Sequence, residues 1–145
     1  MSSVRTLARL ARMLERACTD LSLPQYRLLA MVAEGDERAT ALAGRLALAK
    51  PTITAAVDGL VERDLVTRFV VEGDRRAVGI RITPAGQRAL AATEQAMTER
   101  MQNLLDRCAD PDAVVAGIDQ LRGALDAAMA ERTTSDRSGA GAGAR

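Results

Sequence analysis

The stretch Ala49-Lys50-Pro51-Thr52-Ile53-Thr54-Ala55-Ala56-Val57-Asp58-Gly59-Leu60-Val61-Glu62-Arg63-Asp64-Leu65-Val66 decides the fold. Ile53, Val57, Leu60 and Val61 fall at i, i+4, i+7 and i+8, the buried stripe of a helix opening on Lys50-Pro51-Thr52. Thr52, Thr54, Ala55, Asp58 and Gly59 make up the other face, all small or polar. Just upstream, Thr40 to Leu46 reads as a short helix with Leu42 and Leu46 on one side, followed by the turn Ala47-Leu48-Ala49. Two short helices joined by a tight turn, the second with an open face, form a helix-turn-helix pattern. Lys50 is the chain's single lysine and stands in the second helix's first turn. A cation there opposes the helix dipole. A phosphate partner accounts for it; the plain alternative is a solvated lysine.

The residues that follow extend the pattern. Thr67 to Val71 is rich in β-branched and aromatic residues, Glu72-Gly73-Asp74-Arg75-Arg76 reads as a charged turn, and Val78, Ile80 and Ile82 alternate with Gly79 and Arg81. This is a hairpin with a cationic tip directly after a recognition-type helix. Asp74 is placed to hold a neighbouring arginine, which leaves Arg76 free at the tip. A guanidinium suits a narrow minor groove, where the negative potential is strongest.

The run Asp74-Arg75-Arg76-Ala77-Val78-Gly79-Ile80-Arg81-Ile82-Thr83-Pro84-Ala85-Gly86 resembles the wing signature of the MarR family of bacterial transcriptional regulators. Leu23-Pro24-Gln25-Tyr26, Leu42-Ala43 and Leu60 to Val66 are similar to the same family. The resemblance runs from about Leu21 to Gly86 by motif and reaches the flanking helices by layout. It implies a mainly α fold with a small β-hairpin: a winged helix-turn-helix flanked by N- and C-terminal dimerisation helices. It also implies a homodimer that binds double-stranded DNA, acting as a repressor released by a small-molecule effector or an oxidant. Base and phosphate contacts then fall to Lys50, Pro51, Thr52, Thr54, Ala55 and Asp58, with Arg75 and Arg76 from the wing and Asp74 supporting it. Thr52 and Thr54 suit a base edge or a thymine methyl, and Asp58 a cytosine amino group. Ala55 and Gly59 stand where many members carry arginine or lysine, and Ala49 replaces the more usual capping serine. Part of the specificity is therefore expected from Arg76 and DNA shape.

Composition sets further bounds. A chain of 145 residues suits one domain. The apolar runs fall short of the ~20 residues that span a bilayer, and Met-Ser-Ser-Val-Arg leads into an amphipathic helix rather than a secretory signal. Two cysteines without a disulfide framework fit a reducing cytosol, so a cytoplasmic location is expected. The net charge is +1, but it is unevenly spread. Residues 38–86 carry eight Lys or Arg against five acids, whereas residues 87–145 carry seven against nine. The positive excess thus lies on the proposed reading segment. Histidine is absent, which removes His-based triads and proton shuttles. Phosphate loops and acidic metal clusters are also missing, so no cofactor, no metal and no enzymatic activity are expected.

In the flanks, Val4, Leu7, Ala11, Leu14, Cys18 and Leu21 step by 3, 4, 3, 4 and 3, the spacing of a helix–helix seam. Ser22 to Gln25 has the form of a capping box opening a helix to about Glu34, with Tyr26, Leu29, Ala30 and Ala33 along one stripe. Thr83-Pro84 and Asp110-Pro111 are cap-plus-proline starts of two further helices, ending near Arg107 and Glu131. The resulting organisation is a dimerisation region (1–21 and 87–131), a DNA-binding domain (22–86) and a disordered tail (132–145). A two-fold dimer would cover the seams and call for a pseudo-palindromic operator. Cys18 and Cys108 are the candidate redox residues, with inert packing as the alternative. Two other functions fit the same pattern: a constitutive DNA-architectural dimer or activator, and a winged-helix module that binds protein.

Overall fold

The computed structural model describes residues 2–35, 49–72 and 74–140, without the side chains of Lys50, residues 74–77 and residues 132–140. The expected Thr40–Leu46 helix, with Leu42 and Leu46, lies outside the described residues. The elements, in order, are α1 (Ser3–Glu15), α2 (Leu23–Ala33), α3 (Lys50–Glu62), β1 (Val66–Val71), β2 (Asp74–Ile82), α4 (Pro84–Leu105) and α5 (Pro111–Ala140). Two compact units divide the chain, Met1–Gln102 and Asn103–Arg145. Among the described residues no helix is long and apolar enough to cross a membrane.

In the first unit the core forms where α2, α3 and the hairpin meet. Leu28, Leu29, Leu60, Ile80 and Val66 are its most deeply buried side chains, joined by Val32, Ile53, Ala56, Val57, Leu65 and Leu90. Full burial of each such side chain contributes roughly 1.5–3 kcal/mol. On α2 the buried face is Leu28, Leu29 and Val32, with Tyr26 and Ala30 at its margin. Ala33, expected on that stripe, is exposed. The capping box forms as expected: the Gln25 N–H donates to Ser22 Oγ at 3.3 Å, and the Ser22 N–H donates to Gln25 Oε1 at 3.0 Å.

The hairpin is antiparallel, with Val66 opposite Ile82, Arg68 opposite Ile80, Phe69 opposite Gly79 and Val70 opposite Val78. An irregularity follows at Val71, which pairs with Asp74. Asp74, Arg75 and Arg76 therefore belong to the backbone of β2 and not to a five-residue turn. Gly79 has a steric reason: a Cβ there would lie 2.3 Å from the Phe69 ring. Arg81 stacks on that ring, its guanidinium carbon 4.6 Å from the centroid, an attraction of about 0.5–1 kcal/mol when exposed.

Between α3 and the hairpin lies the tightest junction in the chain. The Leu65 N–H donates to the Leu60 carbonyl at 2.9 Å and the Asp64 N–H to Val61 at 3.0 Å, with Asp64 at φ 55°. This is a Schellman stop with aspartate at the left-handed position usually given to glycine. Thr83, next after β2, donates to the Leu65 carbonyl through its N–H (3.0 Å) and its hydroxyl (3.1 Å). That single hydroxyl proton is shared with the Asp64 carbonyl at 2.7 Å, and the oxygen accepts from the Gly86 N–H (3.0 Å), capping α4.

Three helix ends differ from the sequence pattern. Helix α1 stops at Glu15, so Cys18 and Leu21 lie beyond it although they keep the seam spacing. Cys108 likewise follows the end of α4 at Leu105. In the second unit, Asp110 caps α5 by accepting the Ala113 N–H at 3.0 Å, and α5 runs to Ala140, past the stop expected at Glu131. Residues 132–138 contain neither proline nor glycine to break the helical backbone. Many apolar side chains of α1 and α5 are exposed, among them Val4, Leu7, Ile118, Leu121 and Leu125.

A Cβ at position 86 would stand 2.1 Å from the Leu65 carbonyl oxygen and 2.8 Å from Ile82 Cγ1. Gly86→Ala should therefore destabilise the fold by about 1–3 kcal/mol, read as a lower urea midpoint at unchanged slope. An unchanged midpoint would mean that this contact relaxes at no cost.

Candidate nucleic-acid interface

With Ile53, Ala56, Val57 and Leu60 turned into the core, α3 presents the line Pro51, Ala55, Asp58 and Glu62 outward, flanked by Thr52 and Thr54. Pro51, Thr52, Thr54 and Ala55 are exposed and Asp58 is half-buried. Small side chains here let another surface approach the helix backbone. Ala49, the N-cap, has no polar side chain and makes no side-chain cap hydrogen bond to the first turn. Lys50 is the first residue of α3, and Asp74, Arg75 and Arg76 are the first three of β2; all four side chains lie outside the described part.

Two arginines missed in the sequence reading organise this surface. Arg68 on β1 donates from Nη2 to Asp58 Oδ1, forming an ion pair between α3 and the hairpin. Arg68 shares a strand face with buried Val66 but is itself exposed, so the sequence pattern alone does not single it out. Arg63, just past α3, donates to the Asp20 carbonyl and ties that end of the helix to the loop before α2. Gly59 does not stand on the open face: a Cβ there would lie 2.8 Å from Gln25 Nε2 of the capping box. A shallow groove of about 480 Å³ separates the first turns of α2 and α3, lined by Ser22, Pro24, Gln25, Pro51, Thr52, Ala55 and Ala56.

Tyr26 packs against the core, and burial, followed by the nearby Glu94, Cys18 and Glu34, pushes its hydroxyl pKa up. Cys18 and Cys108 are both free and half-buried. Each thiol donates to the carbonyl four residues earlier, Leu14 and Leu104, at 3.6 Å. Burial and then Glu15 push the Cys18 thiol up, which lowers its thiolate fraction at neutral pH. Among the described residues no group of three or more Cys, Asp or Glu is placed to hold a metal ion.

Residues 19–77 match the MarR family. This chain carries a MarR-family domain. That MarR-family segment takes in α2, α3, β1 and the start of β2. Over 81 residues the chain is 35% identical to the Bacillus subtilis (strain 168) protein described as the uncharacterized HTH-type transcriptional regulator YpoP. The alignment covers 55% of this chain and 57% of that relative, just over half its length. A MarR-family transcriptional regulator from Rhodococcus sp. RHA1 superposes with a TM-score of 0.73 at 25% identity, covering 87% of this chain and 88% of that one. The transcriptional repressor CouR, solved bound to a 23-mer DNA duplex, superposes with a TM-score of 0.72 at 22% identity, covering 83% and 87%. At that identity the likeness to CouR concerns the fold, which is the MarR winged helix.

The raised Cys18 pKa has a measurable consequence. An upward-shifted thiol carries a smaller thiolate fraction at any given pH, so alkylation of Cys18 at pH 7.5 should be slower than that of an unstructured cysteine peptide. Peptide-resolved iodoacetamide labelling from pH 7 to 10 measures this. Labelling at the peptide's rate or faster at pH 7.5 would contradict the assignment.

Proposed function

We propose that this chain is a DNA-binding transcriptional regulator that acts as a two-fold homodimer in the cytoplasm. The observation that carries the reading is the exposed, small-residue face of α3 beside a hairpin whose strand β2 opens on Asp74-Arg75-Arg76. In this reading α3 enters the major groove, with Lys50, Pro51, Thr52, Thr54, Ala55 and Asp58 at the DNA. The helix N-terminus, with alanine and not a capping side chain at Ala49, favours a phosphate. Arg76 approaches the adjacent minor groove with Arg75 beside it, while Asp74 holds a neighbouring arginine and leaves Arg76 free. The DNA-bound state of CouR, which has a similar fold, supports this use of the domain.

The dimer is supported by the exposed apolar side chains of the flanking helices. Val4 and Leu7 on α1 are 73% and 52% exposed, and Leu121 and Leu125 on α5 are 54% and 63% exposed. A second copy covers them, with residues 1–21 and 87–131 as the dimerising region and 22–86 as the reading domain. Repeating the α3 contact one helical turn away, on the order of 10 bp, calls for a pseudo-palindromic operator. The regulator is read as a repressor released by a small ligand. The alternative trigger is an oxidant acting at Cys18 or Cys108, two free thiols. A protein-binding role draws on Asp58 and Glu62, two acids on the outward line of α3.

Selection from a random duplex pool, followed by anisotropy titration of the winning duplex at fixed salt, tests the reading. Arg76→Ala should weaken binding by about 1–3 kcal/mol. Unchanged affinity would remove the wing from the interface. Failure of the unmodified protein to prefer any duplex would leave the protein-binding role.

A further inference from the structure

Asp58 sits on the outward line of α3, one turn beyond Thr54 and Ala55, yet its carboxylate is already engaged. Arg68, ten residues later on β1, donates from Nη2 to Asp58 Oδ1. The register explains how it gets there. Arg68 lies opposite buried Ile80 and two residues after buried Val66, on the hairpin face directed at α3. The strand therefore delivers a guanidinium to the edge of the helix's exposed surface. Both side chains remain about half exposed, 43% for Arg68 and 49% for Asp58. Such a pair is screened by water and contributes little to folding. Its effect falls on the electric field of the surface.

The charges around it make that effect large. Within Lys50–Glu62 there is one base, Lys50, against two acids, Asp58 and Glu62. Arg68 is the cation that β1 brings to this helix face, and Asp58 cancels it. A guanidinium released from its carboxylate is well suited to a phosphate, which it binds through two parallel N–H donors. Phosphate contacts raise affinity for any sequence, whereas base contacts discriminate. We propose, resting on the DNA-binding reading above, that Asp58 acts on DNA through Arg68 and not by accepting a hydrogen bond from a base. By holding the guanidinium, it limits phosphate attraction and makes binding depend more on sequence. Asp58 is thus a positioning residue, and the pair determines specificity.

The test uses the full-length protein, a duplex selected from a random pool and an unrelated duplex of equal length, each titrated by anisotropy at several salt concentrations. Asp58→Asn should tighten binding to both duplexes by roughly threefold to tenfold and steepen the log–log salt slope by about one. The gain should be larger for the unrelated duplex, so that discrimination falls. Adding Arg68→Gln should remove both the gain and the extra slope. Asp58→Ser should behave like Asp58→Asn, and thermal melts should show each variant folded. Weaker binding of the selected duplex alone, persisting in the Arg68→Gln background, would show direct base reading and overturn the proposal. Unchanged affinities and slopes would overturn it too, reducing the pair to a surface contact. If the unmodified protein binds neither duplex, the DNA-binding reading fails first and takes this proposal with it.

Discussion

The carbonyl of Leu65 is the point on which the arrangement of the domain depends. It receives the N–H and the hydroxyl of Thr83, and Gly86 presses α4 against it with no room for a Cβ. Four elements converge there: the end of α3, the start of β1, the end of β2 and the start of α4. The Schellman stop at Asp64 turns the chain sharply enough to bring them together. Burial of Leu60, Val66 and Ile80 beneath the junction supplies the apolar driving force, and the hydrogen bonds fix the angle. The hairpin consequently has little freedom to swing relative to α3. The Arg68–Asp58 pair links the same two elements farther along that edge, half exposed and of little weight for stability. A helix and hairpin held this way present their exposed side chains as one piece, which lowers the ordering cost of engaging a partner.

Charge gives the surface its character. Residues 38–86 carry the chain's positive excess, but α3 itself is not basic. Its outward line is a proline, an alanine and two acids, one of them neutralised. On the proposed DNA-binding reading, attraction to a phosphate backbone comes mostly from the hairpin arginines and Lys50, and the small residues of α3 allow close approach of its backbone. Such an interface depends on shape more than on a row of bidentate arginine contacts.

Much of this was legible in the sequence because the signals were local. Ser22 and Gln25 spell a capping box three residues apart, and Thr83-Pro84 and Asp110-Pro111 spell helix starts. The alternation of Val78, Ile80 and Ile82 marks a strand. The features that escaped depend on distance or on missing stop signals. Helix α1 ends at Glu15 although Arg16 and Ala17 are good helix formers, so its seam spacing runs on past the helix. The neutralising partner of Asp58 becomes visible only when the hairpin register turns Arg68 toward α3. Gly59 looked open because its place on the helical wheel borders Thr52, and the approach of Gln25 from α2 could not be read from the wheel. The resemblance to the MarR family supplied the wing's purpose, but the steric reason for Gly86 came from the Leu65 carbonyl.

The central claim is that α3 and the hairpin reach DNA together, twice, at a fixed spacing. Hydroxyl-radical cleavage of a duplex selected by the protein measures this most directly. Two protected clusters on the order of 10 bp apart, each with a neighbouring minor-groove protection from the wing, are the predicted result. A single protected cluster, or even protection along the whole duplex, would contradict the account.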